Sequence, residues 1–556
     1  MVPTTRTCSL ALIAAALAVT PAAAKRSVLD QPTGPATYVG ARAAALEGDL
    51  RRSALLYAAL AAREPGNPVI VGQAISSAIA SGDLPLALRT MRGRPLAQLD
   101  VDARLLLTAD LLRRGKEREA IAVLRNQRDG VDLLFLAPVV EAWRQADQRD
   151  DRAFATLSEV PAGSAVAPYL AEHRALILLR LGKADEAEPI ARRAIGAAGR
   201  REARVRIAMA DGFMRLGRRD VALAMLEGRD PAVARGRALV QGGRAPGDGI
   251  NNPAEGFAEL LLALSLDLAR AEVRMLPLEM VQIARHASPK APQAPVLLGS
   301  LLDDGDGSDE ALAALRSVPD DNYFISDVRD VEIRTLRRGE RMQEALARAS
   351  AFAAQRGAGA NDFARLGDVL SDMGRHGEAA DAFGRALAIV QAGGTGPDTW
   401  VLNLLRGGEL EQANRWPEAR AALEAALAQA GDNPLVLNYL GYAKLERGED
   451  MDRAEKLIAR ASELAPDNAS ITDSLGWAQF KRGRVEQAIA TLQQAATKDP
   501  SQSEIHEHLG DALYTAGRKF EARHAWSAAL ITAEDDVRGR IQAKIEAGLT
   551  PATAAP

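Results

Sequence analysis

The sequence has one cysteine, few aromatic residues and no excess of basic charge. Cys8 is the only cysteine among 556 residues, so disulfide frameworks, cysteine nucleophiles and thiolate metal sites are excluded from the rest of the chain. Aromatic residues make up 4% of the chain, and long alternations of Val, Ile or Thr are absent, which argues against a β-sheet. The formal net charge of −4 and the lack of a basic stripe disfavour nucleic acid as a partner.

Only one stretch is strongly apolar, and it lies at the start of the sequence. Residues 1–24 combine Arg6, an apolar core from Leu10 to Val19 and small residues at 22–24, which is the pattern of a cleaved secretory signal peptide. An uncleaved anchor or a buried helix is the alternative, although the apolar core is too short to span a bilayer. No cysteine stands at the expected cleavage point, so we expect neither a lipid anchor nor a transmembrane segment.

The sequence does contain a repeated pattern near its C-terminal end. The segments 434–468, 469–502 and 503–536 can be aligned position by position, and the last two have a period of ~34 residues. Each segment has a Leu-Gly pair, a later Gly and two Ala at matching offsets: Leu440-Gly441, Gly448, Ala454 and Ala461; Leu475-Gly476, Gly483, Ala488 and Ala495; and Leu509-Gly510, Gly517, Ala522 and Ala529. A fixed period of this size predicts stacked hairpins of two helices.

The shared positions have a physical role in such a hairpin. The first Gly lets the second helix approach closely, and the later Gly ends the first helix in a left-handed conformation. The Ala residues lie where the helices cross, and a larger side chain there would overpack the crossing. Pro466 and Pro500 close the first two segments. This arrangement resembles the tetratricopeptide repeat (TPR) family. The resemblance implies an all-α fold, a TPR-type α-solenoid of about fourteen antiparallel helix pairs with a C-terminal capping helix.

Weaker copies of the same spacing extend over most of the chain. The predicted sections are a signal peptide at 1–24, degenerate TPR-like repeats at 25–240, a Gly-rich loop at 241–252, middle helical repeats at 253–395, well-matched TPR repeats at 396–535, a capping helix at 536–548 and a disordered tail at 549–556. The Gly-rich loop is interpreted as a break or hinge in the superhelix, with a surface insertion as the alternative. We expect one unbroken helix from Ala254 to Met275.

Catalytic motifs are missing from the sequence. It contains no phosphate-binding loop, nucleophile elbow or zinc-protease motif, so we expect no enzymatic activity, no cofactor and no metal. An acidic loop at Asp303 resembles a calcium loop but lacks its bidentate Glu. His506, His508 and His524 suggest zinc, but residues two apart on a helix face nearly opposite sides, which favours ordinary packing. A hydrolase or transferase hidden in 241–285 is an alternative that requires a buried polar constellation there.

In the TPR family, the first helix of each pair lines the concave side, and fixed positions on it contact the ligand. Carried over to this sequence, those positions give a partner-binding groove of aromatic residues and carboxylates: Asn438, Tyr442, Asp473, Trp477, Phe480, Lys481, Glu507, Asp511 and Tyr514. Glu446 and Glu504 fall at further groove positions. Aromatic residues on a rigid groove are typical binding hot spots, and packing of these rings against adjacent helices is the alternative. If they line the groove, replacing Trp477 and Tyr514 with Ala should abolish partner capture without changing stability.

The Lys, Arg and Asn clamp with which TPR domains hold a chaperone's C-terminal carboxylate is missing here. A basic or apolar segment of a partner is therefore the expected ligand. The resemblance, combined with the signal, implies a non-enzymatic protein–protein interaction scaffold or adaptor in the bacterial cell envelope, in the periplasm, with secretion as the alternative. The alternative functions are a self-associating structural component and binding of a cell-wall polymer through the aromatic groove. Light scattering tests the first, and a glycan pull-down compared with a peptide pull-down tests the second.

Overall fold

The structure, a computed structural model, describes residues 34–126, 133–247, 249–270, 275–302 and 308–555. These residues form thirty α-helices and no strand, so the predicted all-α solenoid class is confirmed. The predicted signal peptide and the acidic loop at Asp303 lie outside the described residues.

The N-terminal section consists of six antiparallel helix pairs and one additional helix. Its helices are α1 (Pro35–Leu46), α2 (Leu50–Arg63), α3 (Pro68–Ala80), α4 (Leu84–Met91), α5 (Val101–Arg113), α6 (Glu117–Arg125), α7 (Ala137–Asp147), α8 (Ala153–Leu157), α9 (Leu170–Arg180), α10 (Ala184–Ala197), α11 (Glu202–Arg215), α12 (Arg219–Met225) and α13 (Pro231–Gln241).

The middle section has four further pairs. They are α14 (Pro253–Ala269) with α15 (Met275–Ala287), α16 (Gln293–Leu301) with α17 (Ser308–Arg316), α18 (Ile325–Arg338) with α19 (Met342–Ala353), and α20 (Ala360–Asp372) with α21 (His376–Gln391). The helix predicted from Ala254 to Met275 is shorter than expected, because α14 ends at Ala269 and the N–H of Arg270 closes it on the carbonyl of Asp267.

The C-terminal section has four pairs and a final helix. They are α22 (Thr399–Gln412) with α23 (Trp416–Ala430), α24 (Pro434–Glu446) with α25 (Met451–Leu464), α26 (Ala469–Lys481) with α27 (Val485–Lys498), α28 (Ser503–Thr515) with α29 (Lys519–Thr532), and α30 (Asp535–Ala547). The described part of the chain thus contains fourteen pairs, with α13 and α30 outside them.

Local signals set where the helices of the C-terminal pairs begin and end. The side chains of Asn433 and Asn468 cap α24 and α26 by accepting hydrogen bonds from backbone N–H groups of the first turn. The first helices of these pairs end before Gly448, Gly483 and Gly517, whose φ angles are 62°, 75° and 81°. A residue with a Cβ would be strained in this left-handed conformation, which explains the repeated glycine.

In the five pairs from α20 to α29, the second helix packs directly on a glycine of the first. A Cβ built on Gly476 would lie 2.7 Å from Cγ of Leu492, and one built on Gly510 would lie 2.3 Å from the ring of Trp526. Three earlier glycines have the same relation to their second helices: Gly367, Gly407 and Gly441. The close approach predicted for these positions is therefore present, and it fixes the crossing of the two helices.

The hairpin of α14 and α15 lies against the first helices of the N-terminal pairs. Helix α14 packs on α5 and α7, and α15 packs on α3 and α5. Gly256 of α14 lies beneath Trp143 of α7, where a Cβ would be 2.5 Å from the indole nitrogen. The hairpin therefore occupies the side of the N-terminal repeats that the TPR resemblance assigns to ligand.

The Gly-rich loop leads the chain to this position. The N–H of Gly247 donates to the Asp211 carboxylate at 2.7 Å, and Ile250 is buried. A Cβ on Gly249 would lie 2.1 Å from Asp211 and Arg215, so only glycine fits there. The described part of the loop is fastened to α11, next to the start of α14.

The residues after α30 fold back onto the last repeats. Disorder is predicted for 549–556, but the described part, 549–555, forms a turn in which the N–H of Thr553 donates to the carbonyl of Thr550 at 3.0 Å. Ala555 is only 5% exposed. The difference arises because the N–H of Ala555 finds an acceptor in the carboxylate of Asp511, at 3.0 Å.

Candidate functional site

The first helices α22, α24, α26 and α28 line an open cavity of about 330 Å³, which we call the acidic pocket. Three predicted site residues lie in its wall: Asn438, Tyr442 and Asp473. Glu446 and Glu504, which fall at further predicted positions, are also there. The rest of the wall is formed by Glu411, Gln412, Tyr439, Ala443, Ser470, Ser474 and Gln502.

The polar groups of the acidic pocket include an acceptor without a donor. The Oδ1 atom of Asn438 is buried and accepts no hydrogen bond from any described residue. The hydroxyl of Tyr442 donates to Glu504 at 3.3 Å, and burial and the charges of Glu504 and Glu446 raise the pKa of Tyr442. The hydroxyl therefore stays protonated. The isolation of this buried acceptor is costly, so the Asn438 side chain gains a hydrogen bond if it turns to meet a ligand N–H.

Four carboxylates give the pocket its acidic character. Three of them have a basic neighbour: Arg447 for Glu411 at 2.5 Å, Lys481 for Glu446 at 3.8 Å and His508 for Asp473 at 2.9 Å. The fourth, Glu504, has an exposed side chain. Its nearest basic group among the described residues is His508, whose Nε2 lies 4.0 Å from Oε1 of Glu504. The mouth of the pocket therefore presents an incompletely neutralised carboxylate to solvent.

Trp477 lies in the core and not in the groove, which corrects its predicted role. It is 1% exposed, and its ring stacks on Phe480 and on His508 at centroid distances of 4.8 and 4.1 Å. Its indole N–H donates to Glu446 at 2.9 Å. The interpretation as packing against adjacent helices therefore applies to Trp477 and to the half-buried Phe480, because α28 brings His508 against the ring.

Glu507 and Asp511 are covered by α30, which corrects their predicted exposure to ligand. They are 2% and 0% exposed. Lys544, itself fully buried, donates to Glu507 at 2.6 Å and to Asp511 at 2.8 Å. Arg540 adds two bonds of 2.9 Å to Glu507, and Trp526 donates to Asp511 at 2.9 Å. These carboxylates bind the capping helix, so they do not line an open groove.

The two remaining predicted residues lie beside these groups. Tyr514 is half-buried, with its ring 5.4 Å from that of Trp526, and its hydroxyl lies where a Cβ of Gly548 would stand, at 2.3 Å. The ammonium of Lys481 is 5.1 Å from the ring centroid of Trp477 and keeps part of its surface exposed. Lys481 thus borders the acidic pocket, whereas Tyr514 lies under the chain that follows α30.

Several residues of the pocket wall are missing from the prediction. Tyr439 enters the wall because Gly408 of α22 leaves room for its hydroxyl; a Cβ there would be 2.9 Å from the oxygen. Ser470 donates to Gln502 at 3.0 Å and joins α26 to the turn before α28. Counting family positions along one helix does not find residues that enter from an adjacent repeat. The second glycine beside Gly407 was the available signal.

A buried polar cluster is present where the hidden-enzyme alternative requires one. Glu259 of α14 accepts from Arg204 of α11 at 2.9 and 3.1 Å and from Gln293 at 2.9 Å. Arg204 also donates to the hydroxyl of Tyr323 at 2.9 Å. The opposite charges pair with each other in the absence of solvent, as a buried ion pair requires. The cluster therefore fastens α14 to α11, to α16 through Gln293 and to the turn before α18 through Tyr323.

The histidines considered for zinc lie in separate environments. His506 contacts the carbonyl of Pro500 at 3.0 Å, His508 stacks on Trp477, and His524 lies edge-on to Phe520. Within the ranges that the structure describes, no group of three potential ligands could hold a metal ion. Every helix there also falls short of the length or hydropathy that a bilayer-spanning segment needs.

Comparison with known proteins shows one family match. The sequence profile of the tetratricopeptide repeat family matches residues 404–469 and 474–536. No curated protein is significantly similar in sequence.

Solved structures include several that are similar over part or most of the chain. A chain of the APC/C heterotetramer Cut9–Hcn1 is 15% identical, with a TM-score of 0.37 over 93% of this chain and 96% of that one. A tetratricopeptide repeat protein from Parabacteroides merdae is 14% identical, with a TM-score of 0.35 over 52% and 97%. YrrB, a TPR protein with an unusual peptide-binding site, is 16% identical, with a TM-score of 0.27 over 35% and 97%.

The profile matches span the helix pairs from α22 to α29, which include the helices that line the acidic pocket. The same pairs contain the glycines on which the second helices pack. With this match and this repeat geometry, residues 404–469 and 474–536 are tetratricopeptide repeats.

Proposed function

We propose that the chain is a non-enzymatic scaffold that binds a basic or apolar segment of a protein partner in the acidic pocket. The TPR fold itself suggests a protein–protein interaction scaffold. The observation that carries the proposal is the combination of an exposed, incompletely neutralised Glu504 with the unsatisfied acceptor of Asn438. A lysine or arginine side chain would pair with the first, and an Asn438 side chain that turns toward the pocket would accept a backbone N–H.

The position of the pocket supports this choice over other surfaces. On the N-terminal repeats, the corresponding side is occupied by α14 and α15. On the last repeat, Glu507 and Asp511 are covered by α30. The acidic pocket lies between these two covered regions and is open to solvent. Its size, about 330 Å³, is enough for one or two side chains of an extended segment and within the usual range of ligand pockets.

Two peptides of equal length and opposite charge test the proposal. The first is an eight-residue labelled peptide in which Lys alternates with Leu, and the second has Glu in place of every Lys. Fluorescence anisotropy with the full chain should show binding of the Lys peptide, weakened by added salt, and no binding of the Glu peptide. Equal binding of both peptides, or binding of neither, would refute the assignment of a basic segment.

Two charge reversals locate the interaction. Glu504→Lys should weaken binding of the Lys peptide about tenfold, which corresponds to about 1.4 kcal/mol. Glu521→Lys is the matched control, because Glu521 is also an exposed helical glutamate but lies on the second helix α29 and pairs with Arg518. The control should bind like the native chain. Equal loss in both variants would mean that the net charge, and not the pocket, determines binding.

Two alternative functions predict other results. If the molar mass measured by light scattering rises with protein concentration, the chain is a self-associating component. Capture of a cell-wall glycan in place of the Lys peptide would assign the pocket to a polymer.

The location in the cell is a separate part of the proposal. We place the chain in the periplasm of a bacterial envelope, on the basis of the signal-like pattern of residues 1–24. The intact mass of the protein isolated from its cell tests this directly. Cleavage after Ala24 leaves Lys25 as the first residue, whereas a mass that includes residues 1–24 would contradict export by a cleaved signal.

A further inference from the structure

The segment after α30 covers a part of the concave face next to the acidic pocket. We call residues 549–555 the folded-back segment. Gly548, with φ of 88°, reverses the chain against Tyr514, whose hydroxyl leaves no room for a Cβ at this position. Leu549 then packs beside the apolar cluster of α28, α29 and α30. The reversal directs the segment toward α26 and α28 and away from solvent.

The far end of the folded-back segment is held by one hydrogen bond and one buried side chain. The N–H of Ala555 donates to Oδ2 of Asp511 at 3.0 Å. The Ala555 side chain belongs to the apolar cluster that contains Leu445 and Trp477. The residues between the two ends are different, since Pro551, Ala552 and Ala554 are exposed.

The turn between these ends is closed by its own hydrogen bonds. Thr550 accepts from the N–H groups of Thr553 and Ala554 at 3.0 and 2.9 Å, and the N–H of Thr550 donates to the Thr553 hydroxyl at 3.0 Å. The segment is therefore internally organised but contacts the repeats mainly at Leu549 and Ala555. A short segment with two points of contact is held mainly because it is tethered.

We propose that the folded-back segment is a tethered ligand, which occupies a docking site for a partner segment of small residues. The site requires a small apolar side chain next to Trp477 and a backbone N–H directed at Asp511, as Ala555 supplies. Its partner is thus a turn or extended stretch rich in Ala, Thr and Pro. Such a partner has to displace the segment before it can bind.

This inference rests on the proposed function, because it assigns the neighbouring part of the same concave face. Asp511 lies about two turns along α28 from Glu504, and Trp477 lies about one turn along α26 from Asp473. Glu504 and Asp473 line the acidic pocket. A partner with a basic residue in the acidic pocket and small residues beyond it could bind to both. The segment would then control the second contact and leave the first open.

A peptide supplied in trans tests the proposal. The probe is a labelled peptide of residues 549–555, measured by fluorescence anisotropy against the full chain and against a chain that lacks 549–556. Tethering gives effective concentrations in the millimolar range, so the truncated chain should bind the probe about tenfold or more tightly than the full chain. Equal binding to both chains, or no binding to either, would overturn the proposal.

Two substitutions separate displacement from damage. Ala555→Asp places a carboxylate against Asp511 and Trp477 and should release the segment, so this variant should bind the probe like the truncated chain. Ala554→Asp is the matched control, because Ala554 is exposed, and it should bind like the full chain. If circular dichroism shows that the truncated chain does not fold, the comparison of probe binding between Ala555→Asp and the full chain tests the proposal by itself. Identical behaviour of the two variants would contradict the model of a tethered ligand.

The outcomes for the two sites can be told apart. The probe of residues 549–555 has no basic residue, so its binding does not depend on Glu504. Loss of Lys-peptide binding with retained probe binding would refute the proposed function alone. Loss of probe binding with retained binding of the Lys peptide would refute the tethered ligand and leave the acidic pocket as a binding site.

Discussion

Replacing Gly510 with Ala should open the last repeat pair. The added methyl carbon would lie 2.3 Å from Cδ1 and Nε1 of Trp526, far inside the ~3.5 Å at which carbon atoms make favourable contact. The ring cannot move aside easily, since it is fully buried and its N–H is bonded to Asp511. Overpacking typically costs about 1–3 kcal/mol. Because the ring is held rigidly, we expect a cost near the upper end of this range, about 3 kcal/mol. The helix preference of Ala over Gly offsets about 1 kcal/mol, which leaves a net loss of about 2.

Hydrogen exchange measured by mass spectrometry on the full chain is the appropriate assay, because a solenoid unfolds locally and a single melting temperature does not describe it. Under conditions where exchange reports the opening equilibrium, a loss of about 2 kcal/mol should speed exchange in α28 and α29 about 30-fold. The pairs before α24 should change little.

The matched control is Gly539→Ala. Gly539 is also a helical glycine, but a Cβ there meets no atom within 4 Å. This variant should gain up to about 1 kcal/mol from helix preference and slow the exchange of α30. If Gly510→Ala and Gly539→Ala behave alike, or if Gly510→Ala is neutral, the close approach of the two helices at Gly510 is not what stabilises the pair.

Three other substitutions test other parts of the structure. Trp477→Ala should destabilise α26 and α28 by about 3–5 kcal/mol, the usual cost of removing a buried Trp, and unchanged exchange would show that the ring is a surface residue. Burial and the neighbouring Asp102 raise the pKa of Glu279 to about 9. The folded chain therefore keeps a proton that the unfolded chain has lost above its ordinary pKa, so stability should fall as the pH rises from about 5 to 9, and Glu279→Gln should flatten that dependence in denaturant titrations. Glu259→Gln removes the charge that faces Arg204 and should cost about 3–5 kcal/mol, visible as faster proteolysis within α14; a protease-resistant variant would contradict the clamp.

The repeat architecture could be read from the sequence because it depends on local chemistry that recurs. Gly476 and Gly510 fit under a second helix whatever the partner side chain is, and Gly483 ends a helix through its own φ angle. These requirements are met within one repeat, so their spacing is visible along the chain. The number of helix pairs follows from the same spacing.

The position of α14 and α15 could not be predicted, because it depends on contacts between residues far apart in the sequence. Gly256 on α14 signals a close approach but does not identify Trp143 as the partner, and Glu259 beside Arg204 is an ordinary helix residue. Nothing in their local spacing shows that they face an earlier repeat and not solvent.

The candidate site was predicted in part for the same reason. Asn438 and Tyr442, which were chosen by family position, line an open pocket, but the family positions assume that no other part of the chain covers the groove. Helix α30 covers Glu507 and Asp511 with Arg540 and Lys544. The two basic residues are four apart on their helix, as are the two carboxylates, and this matching spacing was the available signal.

Site-specific photocrosslinking in the producing cell tests most directly whether the acidic pocket binds a protein partner. A benzophenone amino acid at Gln502, in the pocket wall, is compared with one at His524, which is exposed on α29. We expect a polypeptide to be crosslinked from position 502 and not from 524, and we expect this crosslink to be lost when Glu504 is replaced with Lys. A crosslinked polypeptide from 524 alone, or one from 502 that Glu504→Lys leaves unchanged, would contradict it.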